Sequence, residues 1–283
     1  MLVRLIAIDI DGTLLDSQWR LSEANARAIA DAASRGIEVA LITGRRFDFA
    51  LPIARKLRCP LTMVVNNGAL IRTLDGPTHV CHLLSRDTAG SLLEAARPWR
   101  ENAAVVFDRP LENQVILEKI DWDDPIRGGY YTRNRSFLAE VSPLEACLTE
   151  DPIQVMFTGS VAAMAEAEQT LRSVAFRDRF SLAVTTYESR NFSMIDVLNP
   201  ACSKGAALAE WAHVRGFDRQ EVMAIGDNHN DREMLSFAGV PVIMGNAVPE
   251  LKQQGWHETR SNDEDGVAAA IDTFIFRTAI RCA

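Results

Sequence analysis

The sequence has few cysteines and histidines, and neither type is arranged as in a disulfide framework or a zinc site. The five cysteines are scattered, odd in number and without a Cys-x-x-Cys pair, a usage that favours reduced thiols in a cytoplasmic protein. The five histidines show no ligand spacing. A single loop histidine such as His229 is more often solvated than bound to a metal. We therefore expect neither a disulfide scaffold nor a zinc centre.

Long apolar runs and an excess of positive charge are also missing. No uncharged stretch is long enough to cross a membrane, and the N-terminal segment lacks the pattern of a cleaved signal peptide. The 30 Lys and Arg against 38 Asp and Glu give a net charge of −8, without the basic patch that nucleic-acid binding needs. We expect a cytoplasmic monomer or homodimer whose partners include no membrane and no nucleic acid.

Two widespread catalytic signatures are absent as well. The sequence contains no Gly-rich phosphate loop and no Gly-x-Ser-x-Gly nucleophile elbow. What it does have is length and apolar content, since 283 residues of which 47% are hydrophobic can bury a sizeable core. We therefore expect two domains.

A short apolar segment followed by two carboxylates organises the chain. Residues 2–8 are rich in branched side chains and predict a strand buried on both faces of a parallel sheet. Asp9 and Asp11 follow, and residues two apart in an extended chain point the same way. Gly12 permits a sharp turn, and Thr13 adds a hydroxyl. An Asp-Gly turn means little alone, but the whole combination predicts a ligand site at the end of a strand.

Strands and helices alternate in the first and last parts of the chain, which is typical of a doubly wound parallel sheet, the Rossmann-like arrangement. Predicted strands cover residues 37–42, 63–65, 193–197, 221–225 and 240–244. Predicted helices cover residues 21–35, 47–57, 203–215 and 264–276, with a further helix ending at Ala238. Pro241 indicates that its strand lies near the edge of the sheet.

Between these two parts, residues 83–190 predict a separate α/β domain. Its predicted strands cover 103–107, 115–117, 153–157 and 182–186, its predicted helices cover 85–97 and 161–174, and residues 121–131 are irregular and aromatic. Trp122, Tyr130, Tyr131 and Arg133 either contact a substrate or, as aromatic residues usually do, pack within the domain. We thus expect a catalytic core of residues 1–82 and 191–283 with residues 83–190 inserted as a cap domain.

Polar side chains follow three of the predicted core strands. They are Asp9 and Asp11, then Thr43 and Gly44, then Asp227, Asn230 and Asp231. The carboxyl ends of parallel strands lie at one edge and can face one cavity. The carboxylates are hard oxygen ligands that suit Mg²⁺ better than zinc. Lys204, in the first turn of a helix, is either a solvated side chain or a partner for an anion.

These residue types suit phosphoryl transfer through a covalent aspartyl-phosphate. A carboxylate can attack phosphorus only if the phosphate oxygens are neutralised, here by Mg²⁺ and Lys204, with Thr43 and backbone N–H groups as further donors. The leaving alcohol needs a proton, which the second carboxyl, Asp11, can supply before it activates water.

Together these motifs resemble those of the haloacid dehalogenase superfamily of phosphotransferases. The matching residues are Asp9-x-Asp11-Gly12-Thr13, Thr43-Gly44-Arg45, Lys204 and Gly226-Asp227-Asn228-x-Asn230-Asp231. Three further stretches are similar to its Cof-like branch of sugar-phosphate and small-metabolite phosphatases, namely residues 66–69, 244–247 and 261–267. The resemblance implies a Rossmann-like core with an inserted α/β cap that sets substrate specificity.

The resemblance also implies a role for each matching residue. Asp9 would be the nucleophile, and Asp11 the general acid and base. Mg²⁺ would be held by Asp9, Asp227 and the backbone carbonyl of Asp11, with Asp231 orienting Lys204 or the waters of the metal. The phosphoryl group would be held by Thr43, Gly44, Lys204, Asn230 and the backbone N–H of Ile10. Arg45 would either reach the substrate or brace its loop, and Asn67 would either lie near the phosphate or serve the turn.

The expected function is a Mg²⁺-dependent phosphoric monoester hydrolase that acts on a small phosphorylated metabolite. A phosphomutase similar to the phosphomannomutases of the superfamily stays open, because it needs the same motifs. A non-enzymatic phospho-aspartate module similar to a response-regulator receiver is less favoured, because of the inserted domain and the second carboxylate, Asp11, two residues after Asp9.

Overall fold

The computed structural model describes residues 3–110 and 112–277. The chain folds into two compact units. One is built from the two ends of the chain, up to Cys81 and from Ser203 onward, and the other is the continuous segment His82–Cys202. Among the described residues, no helix is both long enough and apolar enough to cross a membrane.

Helices and strands alternate along most of the described chain. In chain order the strands are β1 (Leu5–Asp9), β2 (Glu38–Ile42), β3 (Thr62–Val65), β4 (Leu70–Thr73), β5 (Thr78–Cys81), β6 (Ala103–Val106), β7 (Val115–Leu117), β8 (Leu138–Glu140), β9 (Gln154–Gly159), β10 (Ser181–Tyr187), β11 (Phe192–Leu198), β12 (Val222–Gly226), β13 (Val240–Ile243) and β14 (His257–Glu258). The α-helices are α1 (Glu23–Ser34), α2 (Phe47–Ala54), α3 (Arg86–Ala95), α4 (Gly128–Arg133), α5 (Val161–Ser173), α6 (Lys204–Arg215), α7 (Arg232–Phe237), α8 (Pro249–Lys252) and α9 (Gly266–Ile271).

The first unit is built on a sheet with the strand order β14-β13-β12-β1-β2-β3-β4-β5. The strands from β14 to β3 are parallel, which confirms the predicted doubly wound core, and β4 and β5 extend it as an antiparallel hairpin that was not predicted. β1 lies between β12 and β2, and all of its residues are buried. Its central place follows from its apolar run, which only a strand covered on both faces can bury.

Local capping signals position the helices of this unit. Ser22 and Ser203 begin α1 and α6, where their side chains accept hydrogen bonds from the backbone N–H groups of Asn25 and Ala206. Gly216, in the left-handed conformation, ends α6 as predicted. The predicted helix over 264–276 is interrupted, because α9 passes into a π-helical turn at Asp272–Phe276.

The strand that carries Pro241 lies one place in from the edge of the sheet. Outside it is only the two-residue strand β14, which pairs with Val242 and Ile243. Pro241 precedes this pairing and faces Ala224 of β12 in the ladder on the other side. A proline therefore fits here, because the hydrogen bonds between β13 and β14 need no backbone N–H donor at position 241.

The second unit has its own sheet, with the order β10-β11-β9-β6-β7-β8. Its pairings are antiparallel except that of β7 with β8. One face packs against α3 and α5 in a core that includes Leu92, Phe157 and Leu171. Helix α4 and strand β8 were not predicted, and Tyr131 of α4 is buried in a smaller cluster on the β6–β7 side.

The predicted placement of residues 193–197 in the core was wrong. This segment belongs to β11, which pairs antiparallel with β10 on one side and with β9 on the other. The connection from β10 to β11 is a short turn through Asn191, at φ 45°, and so short a turn can join only antiparallel neighbours. The second unit therefore continues to Cys202, beyond the predicted boundary at residue 190.

Candidate active site

Three neighbouring parallel strands bring the predicted site residues to one edge of the first unit's sheet. β1 ends at Asp9, β2 is followed by Thr43, and β12 is followed by Asp227. Because β12, β1 and β2 are adjacent and parallel, their carboxyl ends lie side by side. The fold therefore brings together residues that are far apart in the sequence.

Lys204 is a buried cation between two carboxylates. Its Nζ donates to Asp9 Oδ1 and to Asp231 Oδ1, each at 2.6 Å, and its side chain is 2% exposed. Burial alone would lower the pKa of Lys204, but the negative charges of Asp231 and Asp9 raise it above its ordinary value. The structure thus rules out the solvated surface lysine that the sequence had left open.

Asp231 supports Lys204 from within the protein. It is fully buried, and its second oxygen, Oδ2, accepts the backbone N–H groups of Asp227 at 2.9 Å and Asn228 at 3.0 Å. Both oxygens of Asp231 are thus engaged by protein donors. One carboxylate thus holds both the ammonium of Lys204, through Oδ1, and the loop after β12, through Oδ2.

The site holds more buried negative charge than Lys204 can balance. Burial, together with the charges of Asp231 and Asp11, raises the pKa of Asp9 to about 7 against the opposing effect of Lys204. Burial and the charge of Asp9 raise the pKa of Asp227 well above its usual range. Such shifts express the free-energy cost of ionising crowded carboxylates without a further cation.

A divalent cation fits these donors. Carboxylate oxygens of Asp9, Asp227 and Asp231 lie within 4.8 Å of one another, and hard oxygen donors suit Mg²⁺. Since both oxygens of Asp231 serve Lys204 and the backbone, Asp9 and Asp227 are the side chains that fit as ligands. Asp227 is held in place by Thr13, whose hydroxyl donates to its Oδ1 at 2.8 Å.

The Thr13–Asp227 contact was not found from the sequence. The motif showed a hydroxyl after Gly12, but its partner lies 214 positions away. Gly12 itself has φ +84°, and a Cβ there would fall less than 3.0 Å from the Asp227 carboxylate. The turn thus needs glycine both for its conformation and for the space that Asp227 occupies.

Asp11 is held by Arg45 in a two-point contact. Arg45 Nε and Nη2 donate to the two carboxylate oxygens of Asp11 at 2.7 and 2.5 Å. The guanidinium also lies over the rings of Trp19 and Phe49, 5.3 and 4.9 Å from their centroids. The structure thus shows Arg45 bound to Asp11, and its two predicted roles, reaching the substrate or bracing its loop, both stay predictions.

Three of the remaining predicted phosphate-binding residues, Thr43, Gly44 and Asn230, lie around Asn67. Asn230 Nδ2 donates to Asn67 Oδ1 at 3.3 Å, the backbone N–H of Asn67 donates to the carbonyl of Thr43 at 3.0 Å, and the Asn67 amide packs against Gly44. Asn67 has φ 50°, so it both makes the turn and connects the Thr43–Gly44 loop to Asn230. Ile10 is fully buried, directly after Asp9.

A profile of haloacid dehalogenase-like hydrolases matches residues 6–271 of this chain. The chain belongs to the haloacid dehalogenase-like hydrolases. The membership predicted from the four motifs and the Cof-like stretches is thereby confirmed. As a member of this family the chain is an enzyme of the phosphoric monoester hydrolase class.

Named relatives of this haloacid dehalogenase-like hydrolase include two phosphatases. The HMP-PP phosphatase of Cronobacter sakazakii is 29% identical over 260 residues, which are 88% of this chain and 87% of the relative. The 5-amino-6-(5-phospho-D-ribitylamino)uracil phosphatase of Bacillus subtilis is 26% identical, over 96% of this chain and 98% of the relative. A solved haloacid dehalogenase-like hydrolase from B. subtilis superposes with a TM-score of 0.81 at 25% identity, over 96% of this chain and 100% of that one.

Proposed function

We propose that this haloacid dehalogenase-like hydrolase is a Mg²⁺-dependent phosphatase of a small phosphorylated metabolite, and that it works through a phosphorylated Asp9. The observation that carries the proposal is the buried Lys204 between Asp9 and Asp231, beside Asp227. A carboxylate beside an ammonium and an oxygen-donor cation site is the arrangement that lets an anion attack an anionic phosphate.

Asp9, Asp227 and the backbone carbonyl of Asp11 would hold the metal. When bound, Mg²⁺ supplies positive charge that offsets the charge of the phosphate oxygens. Lys204, at the start of α6, adds a second positive charge that belongs to the protein itself. The hydroxyl of Thr43, the N–H groups of Ile10 and Gly44, and the amide of Asn230 are the proposed donors to the remaining phosphate oxygens.

In the first step the Asp9 carboxylate attacks phosphorus, and the bond from phosphorus to the leaving oxygen breaks. The leaving alcohol takes a proton from Asp11. Asp11 must first separate from Arg45 and take up a proton from solvent, because a carboxylate held by a guanidinium accepts hydrogen bonds and donates none. In the second step Asp11 takes a proton from water, whose oxygen attacks phosphorus. The bond to Asp9 then breaks, and inorganic phosphate leaves.

The second unit, His82–Cys202, is the proposed cap that selects the leaving group. Two relatives are named as phosphatases of HMP-PP and of a phosphorylated ribitylaminouracil. From these relatives we infer for this chain only the class of substrate, a small organic phosphate. A shared fold does not imply a shared substrate, because specificity depends on the residues of the site.

The experiment measures phosphate released from p-nitrophenyl phosphate by the purified chain, with Mg²⁺ and with a chelator. A panel of phosphorylated sugars, nucleotides and cofactors then identifies the substrate class. We expect turnover that requires the metal. A folded sample that releases no phosphate from any compound in the presence of Mg²⁺ would contradict the proposal, and retention of phosphate on a sugar would indicate a mutase instead.

A further inference from the structure

Two Cof-like stretches of the sequence, residues 244–247 and 261–267, lie against the loops that carry the proposed metal ligands. In the first stretch, Asn246 Nδ2 donates to the backbone carbonyl of Gly12 at 2.8 Å. In the same turn the backbone N–H of Val248 donates to the carbonyl of Asp227 at 3.0 Å. One turn thus contacts both the loop after β1 and the loop after β12.

The second stretch supports the first. The backbone N–H of Asn262 donates to Asn246 Oδ1 at 2.9 Å, and the Asn262 side chain donates to the carbonyl of Leu15 at 2.9 Å. The backbone N–H of Ser17 donates to Asp263 Oδ1 at 2.8 Å. The side-chain amide of Asn246 is therefore held through its oxygen by Asn262, while its nitrogen holds the carbonyl of Gly12.

The Gly12 carbonyl is a sensitive point in the proposed metal site. It belongs to the peptide group between Gly12 and Thr13, and Thr13 holds Asp227 through its hydroxyl. Gly12 has no side chain to fix its own conformation, so an external donor must select one orientation of that peptide. Groups that orient metal ligands without touching the metal commonly change its affinity when they are removed.

We propose that Asn246 is a positioning residue for the divalent cation, with Asn262 as its support. The inference rests on the Mg²⁺ site of the proposed function. By joining Gly12 to the turn that also holds Asp227, Asn246 keeps the ligands of the two loops at a fixed separation. The hydrogen bonds of Asn246 and Asn262 go to backbone groups and to each other, not to the carboxylates of Asp9 or Asp227. Asn246 is exposed, so replacing Asn246 removes a hydrogen bond without opening the core.

The test is the affinity for Mn²⁺, an oxygen-binding stand-in for Mg²⁺, read from the electron paramagnetic resonance signal of the free ion without substrate. For Asn246→Ala we expect a dissociation constant about 3- to 10-fold higher than that of the wild type, the effect of one net hydrogen bond. For Asn262→Ala we expect a smaller rise, because the backbone N–H that holds Asn246 remains.

Asn199→Ala is the matched control. In the second unit, Asn199 also accepts a backbone N–H, from Ala201 at 3.0 Å, and donates to a backbone carbonyl, of Leu83 at 2.8 Å. Its loss should lower thermal stability and leave Mn²⁺ affinity unchanged. Because a weakened site still fills at high concentration, excess Mg²⁺ should also restore the turnover of Asn246→Ala.

The proposal is overturned if folded Asn246→Ala binds Mn²⁺ within twofold of the wild type, or if Asn199→Ala weakens binding as much as Asn246→Ala does. It is also overturned if the wild type binds no Mn²⁺. A wild type that binds Mn²⁺ but hydrolyses no phosphate ester would instead contradict the proposed function, and the binding comparison would still decide the role of Asn246.

Discussion

At the scale of single residues, the proposed chemistry depends on the charge of Lys204. A buried ammonium is costly unless carboxylates surround it, and Asp9 and Asp231 do so at 2.6 Å. The same ammonium stands where phosphate oxygens would meet Asp9. Its role in the buried ion pairs and its proposed role toward phosphate therefore require the same position.

Replacement of Lys204 by Met removes this charge and leaves the hydrocarbon stem. We expect kcat for p-nitrophenyl phosphate to fall by about 10²- to 10³-fold, the usual cost of losing one charge-stabilising donor in an active site. Lys56→Met, at an exposed position, is the control and should keep full activity. Equal rates for the two variants, measured at saturating Mg²⁺, would remove Lys204 from the mechanism.

The candidate residues could be found from the sequence, but their contacts could not. Each carboxylate was visible because polar side chains after a buried strand need a reason to be there. The Lys204–Asp9 contact spans 195 positions, and no local pattern encodes such a distance. For Arg45 the sequence left open whether it reaches the substrate or braces its loop, and Asp11 was not foreseen as its partner, since a long flexible side chain reaches many partners.

At the scale of elements, the loop after β1 shows why glycine occupies position 12. Gly12 and Gly36 have nearly the same φ, +84° and +82°, but their surroundings differ. A Cβ at Gly12 would collide with Asp227, whereas nothing lies within 4 Å of one at Gly36. Alanine substitutions at the two positions therefore separate the effect of backbone strain from that of a steric conflict with Asp227, a ligand of the proposed metal site.

Gly36→Ala should lower the free energy of unfolding by about 1 kcal/mol, because an L-residue strains the left-handed conformation. It should not change metal affinity. Gly12→Ala adds the collision with Asp227, so we expect Mn²⁺ binding and turnover to be lost. Chemical denaturation and Mn²⁺ titration of both variants check this, and a Gly12→Ala protein with wild-type Mn²⁺ affinity would be the contrary result.

The parallel core could be predicted from local patterns, while pairings between distant strands could not. Apolar runs, the serine caps and Gly216 were sufficient for β1, α1 and α6, because these signals act within a few residues. β11 shows the limit. The sequence predicts a strand here correctly, but the choice between two sheets depends on which strands pair with it, and these lie elsewhere in the chain.

The position of β11 gives a prediction for the second unit. In the sheet order β11 lies between β10 and β9, so a fragment that stops at residue 190 leaves β10 without its partner. We expect fragment 82–202 to unfold cooperatively on heating and fragment 83–190 to show no cooperative transition, by circular dichroism. If both fragments melt alike, β11 does not complete this sheet.

At the scale of the whole molecule, the buried carboxyl of Asp9 makes stability depend on pH and on binding of the proposed metal. The metal-free folded state retains a proton on Asp9 from its ordinary pKa of 3.8 up to about 7, whereas the unfolded chain has released it. The folded state thus binds more protons in this interval, and its stability falls as pH rises through it.

Mg²⁺ should reverse this loss, because a cation at the site offsets the ionised carboxylates. We expect the rise in Tm on adding Mg²⁺ to be larger at about pH 8 than at about pH 5, where protons compete for the same oxygens. Differential scanning calorimetry with and without a chelator measures both values. An equal rise at the two pH values would mean that the metal binds away from Asp9.

The central claim is that Asp9 itself attacks phosphorus, and the most direct measurement is the turnover of Asp9→Asn with p-nitrophenyl phosphate and saturating Mg²⁺. An amide keeps the shape of the side chain and removes its nucleophilic charge, so the account predicts a fall in kcat of at least about 10³-fold in a sample that unfolds like the wild type. A folded Asp9→Asn enzyme with turnover within tenfold of the wild type would contradict it.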